Sequence, residues 1–118
     1  MNLEQLEKNF ESALSKDDLV DTVAKAVAFA NGCQQVRKYD SAIACLNKLD
    51  VKEQKNLKAV LFTAFGTVYW EKGQLNKALI QFEHALQLFK ELEDKAGKAA
   101  ILSVFGVTYW RKMKSLFG

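Results

Sequence analysis

The sequence predicts an all-α protein built as about six antiparallel helices in an array of hairpins, and three observations carry that expectation. The first is composition: 118 residues contain no proline and only six glycines, while Ala, Leu, Lys, Glu and Gln, the strong helix formers, are abundant. The second is periodicity, since apolar residues recur at spacings of three and four along most of the chain. The third is an internal echo. Phe65-Gly66-Thr67-Val68-Tyr69-Trp70 returns forty positions later as Phe105-Gly106-Val107-Thr108-Tyr109-Trp110, and a fixed offset of that kind marks units that stack because neither can bury its apolar face alone.

In order along the chain, Leu3, Leu6, Phe10, Ala13 and Leu14 form one apolar stripe, so a first helix packs on one side. Ser15-Lys16-Asp17-Asp18 supplies oxygens suited to capping the next helix, expected from Leu19 to Arg37. That helix is rich in small residues, among them Ala24, Ala26, Ala28, Ala30 and Gly32. Asp40 is the expected cap of a shorter third helix carrying Ala42, Ile43, Cys45, Leu46 and Leu49. Asn76, thirty-six positions on, is the matching cap before Ala78. Between them Asp50 and Glu53 have the spacing of a capping box opening a long helix to Lys72, which Gly73 ends by taking a left-handed backbone. A fifth helix is expected from Leu75 to Leu92, and Asp94 caps a sixth that runs through Trp110.

Composition narrows the functional classes. With 49% hydrophobic and 26% charged residues and a net charge of +3, the chain reads as one soluble domain whose scattered lysines do not point to nucleic acid. No apolar run approaches the length of a membrane span, and Met1-Asn2-Leu3-Glu4-Gln5 does not resemble a signal peptide. Cys33 and Cys45 are twelve positions apart and lack paired metal-site spacing, so they are read as reduced, packed thiols of a cytoplasmic protein. His84 is the sole histidine and stands in no nucleophilic constellation. No catalytic residue, cofactor or metal is expected, and the chain is read as not an enzyme.

Phe62, Phe65, Gly66, Tyr69, Ala78, Phe82 and Ala85 have the spacing of a tetratricopeptide repeat starting at Ala59, which the chain resembles at seven signature positions. A degraded preceding repeat starts near Val23, with Phe29, Ala30, Cys33, Ala42, Leu46 and Leu49. A following one starts near Ala99, with Leu102, Phe105, Gly106 and Tyr109. The stretch from Ala85 to Ala99 is six residues longer than the standard spacing, which is similar to the forty-residue variant found in bacterial peptide-sensing regulators and G-protein-modulator scaffolds. The resemblance divides a single domain into a capping or half-repeat helix (1–16), a degenerate repeat (19–50), a full repeat (53–93) and a half repeat or C-terminal capping helix (95–118).

The resemblance implies a concave groove for a protein or peptide segment. Its lining, carried position by position, is Val27, Asn31, Gln34 and Gln35, then Val60, Thr63, Thr67, Trp70 and Glu71, then Ala100, Ser103, Val107, Trp110 and Arg111. Trp70 and Trp110 fall at equivalent places, either as binding hot spots or as packing residues. The lysines and arginine with which some relatives hold a C-terminal carboxylate are missing, because Val27, Val60, Thr63 and Ala64 stand there. A non-enzymatic adaptor or scaffold is therefore the expected function. One alternative is self-assembly, in which Leu102, Phe105, Tyr109, Met113, Leu116 and Phe117 meet the first helix of another copy to complete a repeat. Another is a tetratricopeptide-type chaperone or regulator.

Overall fold

The caps show why the helices begin where they do. In the computed structural model, which describes residues 1–117, Asn2 accepts a hydrogen bond from the Gln5 amide at 2.8 Å and starts α1 (Leu3–Leu14). Asp18 does the same for Asp21 at 3.1 Å and starts α2 (Leu19–Gln35). Such bonds satisfy amides that have no partner inside the helix. Four more helices follow: α3 (Tyr39–Asn47), α4 (Lys55–Lys72), α5 (Leu75–Glu91) and α6 (Lys95–Phe117). No strand occurs among the described residues.

Two starts lie earlier than the cap residues suggest. α3 begins at Tyr39 and α5 at Leu75, with Lys38 and Gln74 at the caps and neither bonding through its side chain. The reason lies in the preceding helix ends. The Lys38 amide donates back to the Cys33 carbonyl and the Gln74 amide to Tyr69, both at 2.8 Å, so one tight turn closes each helix and opens the next. Gly73 holds the left-handed conformation in one of these turns, and Arg37, despite its side chain, holds it in the other. The expected capping box also gives way to a local turn. The Asp50 carboxylate accepts the Lys52 amide at 3.1 Å, which keeps its carboxyl below the usual range, and α4 starts only at Lys55.

The chain divides into two compact units, Met1–Glu53 and the remainder from Gln54 on. In the first, α2 packs against both α1 and α3. Phe10 stacks on Phe29 with ring centroids 6.4 Å apart, and the closeness of Leu6 to Gly32 sets α1 antiparallel to α2. Ala26, Ala30, Cys33, Ala42, Cys45 and Leu46 are all buried. Side chains this small let two helices approach closely enough for the Cys45 thiol to donate to the Ala26 carbonyl at 3.5 Å.

Burial, followed by the neighbouring Cys33, pushes the Cys45 thiol up to about 12 from its ordinary 9.0. At pH 8 that lowers the reactive thiolate fraction roughly a thousandfold. Iodoacetamide is therefore expected to spare Cys45 in the folded chain and to modify it fully in urea, as read by mass spectrometry. The linkage sign is fixed as well. Above pH 9 the unfolded chain releases this proton while the folded one keeps it, so the thiol's contribution to the first unit's stability falls as pH rises from about 9 to about 12.

In the second unit α5 lies between α4 and α6 and packs on both. Ala78, Phe82, Ala85 and Ile101 form its buried centre, with Phe62, Tyr69, Trp70, Leu86, Phe89, Val104 and Phe105 around them. The crossing of α4 with α5 rests on Gly66, where an added Cβ would sit 2.6 Å from Cδ1 of Phe82. Phe82 also meets Phe105 of α6 edge-on, centroids 6.3 Å apart. Opposite ends of α4 and α5 are joined in the antiparallel sense by Lys55 with Glu91, 3.7 Å apart.

Candidate functional site

Because α4 and α6 both lean on α5, they leave a cleft between them. It has a volume of about 310 Å³ and is lined by Thr67, Trp70 and Glu71 of α4, Ser103, Val104 and Val107 of α6, and Phe82 at its floor. Five of the positions carried from the sequence pattern thus meet in one place: Thr67, Trp70, Glu71, Ser103 and Val107.

The cleft offers apolar surface and few polar handles. The Thr67 hydroxyl donates to the Thr63 carbonyl at 2.9 Å, and that of Thr63 donates to Ala59 at 2.7 Å. Their protons are spent within α4, and Thr67 turns a methyl-bearing side chain to the cleft. Trp70 is half-buried, and its indole Nε1 is shut from solvent with no acceptor among the described residues. An unmet buried donor of this kind costs free energy. Glu71 is exposed at the rim, placing a carboxylate beside an otherwise apolar slot.

Arg111 has a different role from the one its position implied. Its guanidinium stacks over the Trp70 ring, 4.6 Å from the centroid, and Nη1 donates to the Trp70 carbonyl at 2.6 Å. The Gly73 amide donates to the same carbonyl at 3.1 Å. A cation at the C-terminal end of α4 also complements the helix dipole. Arg111 therefore ties α6 to α4 and fixes the tryptophan that walls the cleft.

The remaining positions lie elsewhere. Trp110 is exposed on α6 outside the cleft, with Lys114 Nζ 5.0 Å from its ring centroid. Val27, Asn31 and Gln34 belong to α2 of the first unit, where Val27 and Gln34 are half-buried and Asn31 is exposed. Leu102, Tyr109, Met113, Leu116 and Phe117 are exposed along α6, whereas Phe105 is half-buried against Phe82 and stacks on Tyr109 with centroids 6.0 Å apart. His84 stacks on Phe62 at 5.0 Å. Phe82 and Val104 complete the cleft without having been foreseen there. Phe82 was legible as a core residue, and its second role as floor arises only because α4 and α6 part above it.

Among the described residues no cluster of three or more His, Cys, Asp or Glu side chains is arranged to hold a metal, and no helix is long and apolar enough to cross a membrane. Comparison of the chain with protein-family models, with curated proteins and with solved structures finds no match.

Proposed function

We propose that this chain is a non-enzymatic interaction module of the tetratricopeptide type, an adaptor that takes a peptide or helix of a partner protein into the cleft between α4 and α6. The observation that carries the reading is the cleft itself: an apolar slot floored by Phe82 and walled by Trp70, with the Glu71 carboxylate at its rim. The fitting ligand is one apolar side chain on a segment that brings a cation to Glu71. The forty-residue echo and the helical hairpins support the repeat assignment. The module is read as cytoplasmic and as working without metal or cofactor.

Selection from a displayed peptide library tests this. Selected peptides should share an apolar anchor with a nearby Lys or Arg. Val107→Glu, an exposed wall position, and Trp70→Ala should each weaken their binding at least tenfold, while Trp110→Ala leaves it unchanged. Peptides that bind all three variants as well as the parent chain would place the site elsewhere.

A further inference from the structure

Outside the cleft, the outer face of α6 repeats a surface that the fold covers elsewhere. Lys55, Gly66 and Tyr69 of α4 recur forty positions on as Lys95, Gly106 and Tyr109 of α6. On α4 all three meet α5: Phe82 seats its ring on Gly66, Lys77 Nζ stands 5.6 Å from the Tyr69 centroid, and Glu91 pairs with the exposed Lys55. On α6 the same three are bare. A Cβ built on Gly106 meets nothing within 4 Å, Tyr109 is 51% exposed, and Lys95 makes no ion pair among the described residues.

The covered copy specifies what fits the bare one. We propose that the outer face of α6 docks a single amphipathic helix of a partner protein, antiparallel to α6. That helix carries the pattern α5 presents to α4: a small residue, an aromatic four positions on, a small residue three further, and a carboxylate nine after the aromatic. The aromatic seats on Gly106, where the missing side chain lets the two backbones approach, and the carboxylate meets Lys95.

Charge excludes pairing of α6 with α6, the required residue pattern excludes the first helix of another copy, and the exposed area suits a partner helix. α6 carries lysines and an arginine but no acidic residue, so pairing α6 with α6 sets like charges along one seam, whereas an acidic-flanked helix complements them. The first helix of another copy is a poor mate. Its exposed Glu4, Glu7 and Glu11 would complement α6, but its one aromatic, Phe10, is buried against Phe29, so its outer side has no ring to seat on Gly106. Tyr109, Trp110 and Phe117, exposed by 51%, 64% and 84%, together offer roughly 400–500 Å² at about 200–250 Å² per residue. With the aliphatic side chains between them, that approaches the roughly 800 Å² per partner of a stable interface.

The test uses the full chain and a fluorescein-labelled peptide of residues 75–91, held helical by a lactam between Glu83 and Gln87→Lys, two exposed positions. Fluorescence anisotropy should show saturable one-to-one binding. Phe82→Ala in the peptide should weaken it at least tenfold, as should Gly106→Leu in the chain, at a position where an added Cβ meets nothing within 4 Å; an unreduced melting temperature of that variant shows that the fold is intact. Glu71→Lys, at the exposed rim of the cleft on α4, should leave peptide binding unchanged, which separates this face from the cleft. No binding at 1 mM peptide, or binding indifferent to Gly106→Leu because the peptide merely exchanges with the chain's own α5, overturns the proposal. So does concentration-dependent dimerisation of the chain alone that Gly106→Leu abolishes, since the occupant would then be a second copy.

Discussion

Replacing Phe82 by Ala is expected to destabilise the second unit by about 3–5 kcal/mol, the usual range for removing a fully enclosed aromatic ring. Phe82 is fully buried and touches all three helices of its unit: it belongs to α5, seats on Gly66 of α4 and meets Phe105 of α6. Its loss leaves a void that cannot close by the shift of one helix alone. Against a total of about 5–15 kcal/mol for an ordinary domain, a large part of the folding free energy disappears. Both tryptophans, Trp70 and Trp110, lie in this unit, so urea denaturation followed by tryptophan fluorescence reports on it selectively. A loss below about 1 kcal/mol, the size of a typical surface change, would contradict the central role of the ring.

The two glycines of the echoed motif should respond oppositely to the same substitution. Gly106→Ala is expected to stabilise the chain by up to about 1 kcal/mol, because glycine is a poor helix former and the added methyl meets open space. Gly66→Ala gains the same helix propensity yet places its methyl 2.6 Å from Phe82 Cδ1 and 2.9 Å from Cζ. Phe82 is enclosed and cannot swing aside, so overpacking of about 1–3 kcal/mol is expected to dominate. Thermal melts of the two single variants decide the matter. Equal shifts of the same sign would mean that the α4–α5 crossing does not depend on a missing side chain.

Much of the helical layout was legible from the letters. Periodicity placed Leu3, Leu6, Phe10 and Ala13 on one helix face, and Phe10 and Ala13 are buried. Gly73 takes its left-handed turn, and Asp94 accepts the Gly97 amide at 2.9 Å to open α6. The start of α5 at Leu75 was placed correctly, but Asp40 and Asn76 are not the caps and α3 begins two residues early, because the backbone closes those turns without a side-chain cap. Arg37 and Glu93 adopt positive φ without being glycine, and no residue type announces that. For the cleft, Thr67, Trp70 and Val107 could be named only through the resemblance to a tetratricopeptide repeat, and they do line it. The divergence of Trp70 from Trp110 could not be foreseen, since closely similar motifs precede them and a contact across 41 positions, from Arg111 to Trp70, is made by one and not the other.

The order of helix contacts bears on how the chain reaches its fold. Extensive packing joins only helices consecutive in sequence: α1 with α2, α2 with α3, α4 with α5, and α5 with α6. Each contact closes across one short turn, so little loop entropy is lost before the contact forms. Mean sequence separation is correspondingly small, and chains of that kind fold in microseconds to milliseconds. A hairpin of α4 and α5, drawn together by Phe82 and Gly66, can nucleate the second unit and α6 can add to it. Folding is then a zipping of neighbours, and Phe82→Ala should slow the refolding of its unit as well as weaken the final state.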